Sequence, residues 1–386
     1  MKDLSAYKNA FSVIETPFYF YDTELLQRTV DEVSRASAKY GIDVHYAVKA
    51  NVEERLLQII SAAGIGADAV SGNEVSRAVE CGFPKNKVVF AGVGKTDKEI
   101  RQSLGIEAFN VESLQELEVI DSIAGAEGVM ADVSLRINPG VDAHTHKFIT
   151  TGLEANKFGL VPEEFQAAAD LLGRLKNVRF TGLHFHVGSQ ITDIQEVFSQ
   201  ECARANEIAG FFESQGLKME HIDLGGGLGV DYLTPDQNPV PDFELWFRTL
   251  SENMPRREGV RLFAEPGRSL VAQCGSLITK VLYIKKRTSK TFAVVDAGMN
   301  NLVRPALYGA YHRIDNICSQ APAEVYDIVG PVCESSDVWG TDRPLASCGR
   351  GDLLAIRSAG AYGSVMSSSY NLRDKAPAYF SDDFNI

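Results

Sequence analysis

Short runs of β-branched, aromatic and aliphatic residues recur along the first two thirds of the chain, separated by stretches of helix length. Val44–Val48, Gly66–Val70, Val88–Ala91, Ala108–Val111, Val133–Ile137, Phe180–His186, His221–Leu224 and Leu262–Ala264 read as eight strands. The stretches between them carry helical periodicity. In Glu53–Ala63, for example, Leu56, Leu57, Ile59 and Ile60 fall on one apolar stripe. Eight strands alternating with helices predict an α/β fold, a TIM-like (β/α)8 barrel whose site lies beyond the C-terminal strand ends. Lys49, Asp68, Asn138, His186, Gly225–Gly227 and Glu265 fall at those ends. They are spread over many strands, whereas a doubly wound sheet would gather them near one switch point.

The rhythm changes after about Gly275. Leu277–Ile284, Thr291–Val295, Glu324–Val329 and Asp352–Arg357 read as strands without long helices between them, which predicts a β domain. Phe18–Tyr21 is a further short strand placed to pair with it. The expected organisation is an N-terminal segment over 1–27, a barrel over 28–275 and a C-terminal β domain over 276–386.

Composition narrows the class. Of 386 residues, 45% are hydrophobic and 23% charged, which excludes collagen-like and disordered readings. The net charge of −13, with no lysine or arginine block, argues against nucleic acid or an anionic membrane as partner. No apolar run approaches the roughly 18–20 residues of a membrane span. The start, Met-Lys-Asp-Leu-Ser-Ala-Tyr, lacks the apolar core of an export signal, so a cytoplasmic location is expected. Cys81, Cys202, Cys274, Cys318, Cys333 and Cys348 show no CxxC pair and read as reduced thiols.

Each candidate chemical group has a plain alternative at this stage. Lys49 ends the first strand as either a solvated lysine or a desolvated amine able to form a Schiff base. His184 and His186 lie two apart, with a second His-x-His pair at His144 and His146. No cysteine or carboxylate spacing completes a zinc set, so no metal is expected. Gly225–Gly227, after a strand, are either a tight turn or a phosphate cradle, and they lack the dinucleotide-binding spacing. Glu265 and Arg268 are either a mutual ion pair or a carboxylate and a guanidinium facing a ligand. Cys333 is either a buried thiol, the commonest fate of cysteine, or a reactive one.

Eight segments in order then change these readings together: YAVKAN, HTHKFITTG with NKFG, GLHFHVGSQ, GGGLG, AEPGRSL, VDAGMNNLVRPALY, GPVCESSD and AGAYG. From about Thr16 to Tyr370 the chain resembles the diaminopimelate decarboxylase family. These are pyridoxal 5'-phosphate enzymes of the alanine racemase-like barrel fold, related to ornithine and arginine decarboxylases. The resemblance implies decarboxylation of meso-2,6-diaminopimelate to L-lysine and CO2, the last step of lysine biosynthesis. It implies that Lys49 holds the cofactor as a Schiff base and that His186 stacks on its ring. Ser189, Gly225, Gly226, Gly227, Gly267, Arg268 and Tyr362 would surround the phosphate, and Glu265 would face the pyridine nitrogen. Arg268, Arg304, Tyr308, Glu334 and Tyr362 would contact substrate, with Cys333 as proton donor. A homodimer is implied too, with Cys333 and Glu334 reaching the partner's barrel.

Two other readings fit the fold: decarboxylation of ornithine, arginine or lysine, and a non-catalytic regulatory homologue. Arg304 speaks against the first, because a substrate with only an ammonium at its far end needs no guanidinium there. The presence of Lys49, the glycines and Cys333 speaks against the second. His144–Lys157 resembles the family's active-site flap. Asn371–Ile386 departs from the family pattern and is expected to touch no matched motif.

Overall fold

The computed structural model describes residues 3–141 and 157–384. Phe18–Tyr21 forms β1, and all eight strands read between Val44 and Ala264 are present. They are β2 (Ile42–Ala47), β3 (Gly66–Ala69), β4 (Val88–Phe90), β5 (Ala108–Val111), β6 (Ala131–Arg136), β7 (Val178–His184), β8 (His221–Asp223) and β9 (Arg261–Ala264). Each pairs in parallel with the next, and β9 pairs back on β2 through Ile42 with Leu262 and Val44 with Ala264, closing the barrel. The segment read as a flap, with the His144/His146 pair, lies outside the described residues apart from Lys157.

Local sequence accounts for the helices that return the chain between strands. The helix Glu54–Ala62 buries Leu56, Leu57 and Ile60. Ser71, Thr96 and Ser113 cap three others by accepting from the amides of Glu74, Glu99 and Glu116. At Thr96 the Glu99 carboxylate returns the bond to the cap amide, which fixes where that helix starts.

The lower barrel interior is packed around rings. His45 of β2 and His221 of β8 both lie against Phe263 of β9, with ring centroids 4.7 and 4.5 Å away. His45 Nε2 meets Glu107 Oε2 at 2.8 Å, and His221 Nε2 meets Ser134 Oγ at 2.7 Å. Gly66 and Gly182 make room for these rings. A Cβ at Gly66 would stand 2.4 Å from His45 Cδ2, and one at Gly182 would stand 2.3 Å from the His221 carbonyl oxygen. Two glycines inside strands are therefore packing requirements.

The remaining strands are β10 (Gly275–Lys286), β11 (Thr291–Val295), β12 (Ile314–Asn316), β13 (Ala323–Val329), β14 (Val338–Ala346), β15 (Leu353–Ile356) and β16 (Ala378–Phe380). They form a sheet ordered β12-β15-β10-β11-β13-β14, with β1 antiparallel to β10 and parallel to β16. The expected pairing of Phe18–Tyr21 with the β domain thus holds. Three strands escaped the sequence reading. β12 and β16 have three residues each, and β14 contains Gly340, Asp342 and Pro344, which locally oppose a strand. Pairing along β13 imposes β14 despite that composition, with irregular register.

Contacts divide the chain into two compact units. One is Val30–Gly229 with Asp242–Gly267, the barrel; the other is Met1–Thr29, Val230–Pro241 and Arg268–Ile386. In the second, Leu4, Tyr7 and Phe11 join Phe18, Phe20, Ile278 and Leu353 in one core. The six cysteines are free thiols. Among the described residues, no helix is long and apolar enough to cross a membrane.

One titration follows from the barrel packing. Burial lowers the pKa of His221 to about 3. An unfolded histidine takes up a proton near pH 6.5, so the unfolded chain binds more protons between these values. The stability this residue contributes is complete above about pH 6.5 and is lost as pH falls towards 3. The difference in unfolding free energy between wild type and His221→Gln should therefore shrink from pH 7 to pH 5.5 by on the order of 1 kcal/mol. Urea unfolding at both pH values measures it, and a constant difference would mean that His221 is not held neutral.

Candidate active site

Parallel register decides what meets at the C-terminal end of the barrel. Ala47 of β2 is in register with Asp68 of β3, and the turn Val48–Ala50 follows at once. Lys49 Nζ there donates to Asp68 Oδ2 at 2.6 Å. Burial and the Glu265 charge push the Asp68 carboxyl up, while the Lys49 ammonium pulls it down. Gly267 sits tightly against this turn, since a Cβ on it would lie 3.0 Å from Ala47 Cβ.

β7 ends at His184, and the two histidines two residues apart find different partners. His184 Nε2 meets Glu265 Oε2 at 3.1 Å. His186 Nδ1 accepts from the Gly226 amide at 3.2 Å, so that nitrogen carries no proton. Burial, with the Lys49 and Arg136 charges, lowers the pKa of His186 to about 3 and keeps the ring neutral. Ser189 lies half-buried in the turn beyond.

Glu265, Asp223 and His184 are buried together, with ligand-type atoms within 4.8 Å of one another. Two carboxyls at this separation do not both ionise readily. Burial and then the Glu265 charge push Asp223 well above the usual carboxylate range. Burial opposes charge on Glu265 as well, but His184 and Lys49 outweigh it and hold that carboxyl low. The outcome is one carboxylate, Glu265, beside one acid, Asp223. Among the described residues Glu265 Oε1 accepts from no N–H, and the Asp223 acid is its hydrogen-bonding neighbour.

The glycine run after β8 is forced by close approach. A Cβ would stand 2.3 Å from the Phe185 carbonyl oxygen at Gly225, 2.0 Å from that of Glu265 at Gly226, and 2.6 Å from that of Gly188 at Gly227. The Gly225 amide donates to Asp223 Oδ1 at 2.8 Å and the Gly226 amide to His186. Among the described residues the Gly227 amide donates to none, so it is the donor this run still offers an anion. A group with a donor ring nitrogen for Glu265, an electrophilic carbon for Lys49 and an anionic end for Gly227 fits these residues; pyridoxal phosphate has all three features.

The other predicted residues belong to the second unit. Arg268 NH1 donates to the Tyr232 hydroxyl at 2.8 Å, and its guanidinium lies 4.9 Å from the centre of the Tyr362 ring. Tyr362 has φ 55°, an uncommon conformation for a ring-bearing residue. Arg304 opens the helix Arg304–Tyr308, which Tyr308 closes, half-buried. The Arg304 guanidinium stands 4.9 Å from the Tyr232 ring centre.

Cys333 is exposed, which overturns its reading as a buried thiol. Its amide donates to Asn371 Oδ1 at 2.8 Å, and Glu334 Oε1 accepts from the Tyr370 hydroxyl at 2.5 Å. Asn371 was expected to lie apart from every matched motif. Instead its side chain holds the Cys333 loop, because a left-handed turn at φ 56° carries it there. Asp337 steadies the same loop, accepting from the amides of Val332 and Met299, each at 2.7 Å. The structure thus groups Arg268, Arg304 and Tyr362 around Tyr232, and Cys333 and Glu334 with Tyr370 and Asn371. Sequence reasoning assigned no role to Asp68, His184, Asp223, Tyr232, His312, Tyr370 or Asn371. The first three were visible as polar residues in or beside matched motifs; Tyr232 and His312 gave no signal.

Residues 26–272 match the family model for the pyridoxal-dependent decarboxylases, pyridoxal binding domain. The chain is 52% identical over 376 residues to the diaminopimelate decarboxylase of Bacteroides thetaiotaomicron, 97% of each chain. The crystal structure of diaminopimelate decarboxylase from Helicobacter pylori complexed with L-lysine is similar with a TM-score of 0.91 at 37% identity, covering 98% of this chain and 94% of that one. A lysine/ornithine decarboxylase from Vibrio vulnificus, at 22% identity and a TM-score of 0.84, shares the fold. With this similarity over nearly its whole length, the chain belongs to the diaminopimelate decarboxylase family of pyridoxal-phosphate-dependent carboxy-lyases.

Proposed function

We propose that the chain decarboxylates meso-2,6-diaminopimelate to L-lysine and CO2, as the last step of lysine biosynthesis, acting in the cytoplasm as a homodimer. The observation that carries this reading is the pair of buried guanidiniums, Arg268 and Arg304, held around one tyrosine. Such a pair suits a substrate that still carries a carboxylate at the end away from the reaction. The L-lysine held by the Helicobacter pylori relative has that group.

Bound pyridoxal phosphate supplies an electron sink for the pair left at Cα when CO2 departs. Lys49 would hold the cofactor covalently and His186 would stack on its ring as a neutral imidazole. Glu265, kept ionised, would hold a proton on the ring nitrogen. Ser189, Gly225–Gly227, Gly267, Arg268 and Tyr362 would bind the phosphate. Arg268, Arg304, Tyr308 and Tyr362 would orient the substrate, and Glu334 would bind its distal amine. Cys333 Sγ would deliver the proton to Cα. The exposed position of Cys333 and Glu334 supports the reading that they serve a partner subunit's site.

Borohydride reduction of the holoenzyme should fix the phosphopyridoxyl mass on the peptide containing Lys49. Label on another lysine would remove Lys49 from its role.

Cys333→Ala should keep the cofactor spectrum and lose turnover by about 10²–10⁴-fold, the usual contribution of a general acid. Mixed with Lys49→Ala subunits, it should recover part of the activity, since one site of the hybrid dimer is then intact. Verified hybrids without recovery would contradict shared sites.

Arg304→Ala should lower kcat/KM for meso-diaminopimelate by roughly 10- to 150-fold, the equivalent of a charge-assisted bond of about 1.5–3 kcal/mol. Arg304→Lys should restore only part, because an ammonium cannot reproduce the fork. A lowered melting temperature with unchanged kcat/KM on folded enzyme would make Arg304 structural, not a carboxylate reader.

A further inference from the structure

Arg304 is buried, 5% exposed, and no carboxylate pairs with it among the described residues. A buried guanidinium is ordinarily matched by an anion, since an unpaired charge is costly to desolvate. Here its hydrogen-bond partners, His312 and Tyr232, are neutral. Arg304 NH1 meets His312 Nε2 at 2.8 Å, and His312 Nδ1 meets the Arg357 carbonyl oxygen at 2.8 Å. A carbonyl only accepts, so Nδ1 carries the proton and Nε2 is the acceptor for Arg304. His312 is 1% exposed, and burial with the Arg304 charge lowers its pKa to about 3, so the acceptor persists wherever the fold does.

Tyr232 completes the arrangement. Its hydroxyl accepts from Arg268 at 2.8 Å, its ring faces Arg304 at 4.9 Å, and the ring meets His312 at 5.1 Å and 75°. One tyrosine therefore joins two like charges and the histidine that orients one of them. Aromatic faces and neutral acceptors attract a guanidinium without cancelling its charge. An aspartate or glutamate in either place would compete directly with an anionic ligand.

We propose that Tyr232 and His312 are positioning residues for carboxylate recognition: they aim Arg304 with neutral partners, leaving its charge for the distal α-amino carboxylate of the substrate. The inference rests on the reading of Arg304 given above and adds the residues that set its direction. It also explains why the segment Val230–Pro241 leaves the barrel sequence to join the second unit, for that excursion brings Tyr232 to the arginines.

The test uses holoenzyme and two ligands, L-lysine and cadaverine, which is the same amine without the carboxylate. Tyr232→Phe keeps the ring and removes the acceptor; His312→Leu removes the imidazole; His312→Gln restores an acceptor and a donor. Tyr232→Phe and His312→Leu should each weaken L-lysine binding by about 5- to 10-fold, the range for loss of one hydrogen bond. Cadaverine affinity and the cofactor spectrum should not change. KM for meso-diaminopimelate should rise with little loss of kcat, and His312→Gln should come back close to wild type. Equal weakening of both ligands, or a lowered melting temperature with lysine affinity intact, would make the two residues merely structural and overturn the inference. Arg304→Ala separates the two levels of argument. If it leaves lysine affinity unchanged, the reading of Arg304 falls and this inference falls with it. If it weakens lysine binding while Tyr232→Phe and His312→Leu do not, only the positioning roles are lost. Should Tyr232→Phe fail to fold, the His312→Leu and His312→Gln pair decides the question.

Discussion

A buried carboxylate kept ionised at the C-terminal end of the barrel organises the residues around it. Glu265 is buried, and a carboxylate in that setting would ordinarily take up a proton. His184 at 3.1 Å, with the charge of Lys49, reverses that preference. The cost is borne by the neighbours: Asp223 and Asp68 are both pushed towards their acid forms by burial and by Glu265 itself. The barrel end is thus a graded set in which Glu265 stays charged and the neighbouring carboxyls are shifted towards their acid forms. That is the environment a ring nitrogen must meet if it is to stay protonated away from water.

Backbone proximity makes this set possible. Gly225, Gly226 and Gly227 allow the turns after β7, β8 and β9 to touch, each leaving less than 3 Å to a carbonyl oxygen where a Cβ would stand. Their amides do unequal work. Two are committed to orienting Asp223 and His186, so only the third has a donor to give a ligand. A glycine run that looks like a phosphate motif in the sequence is, in space, largely a device for fixing two side chains.

The second unit solves the opposite problem, keeping a positive charge available. Arg304 is oriented by an imidazole and an aromatic face, where a purely structural arginine such as Arg357 is tied to Asp315 and Asp236 at 2.7 Å. Neutral partners cost stability relative to an ion pair but leave the field of the guanidinium for a ligand. The Cys333 loop follows a related logic. Asp337, Tyr370 and Asn371 secure its amides and the Glu334 carboxylate from three directions, while the thiol itself stays exposed.

The sequence by itself determined the barrel, because each strand is a short apolar run whose burial is written in its own residues, and each helix carries its stripe and often its cap. Every barrel strand was legible for that reason, and so were the residues at strand ends, since strand direction places them. β14 was not legible: Gly340, Asp342 and Pro344 oppose a strand locally, and only the pairing with β13 overrides them. Tyr232, His312 and Asn371 were equally invisible, because their importance lies in partners 36, 8 and 38 residues away. Hydrogen bonds across such distances depend on where the backbone turns, and no local pattern records that. What chemistry the chain carries was fixed by residue identity; which charges survive, which amides remain free and which way each guanidinium points was decided by packing.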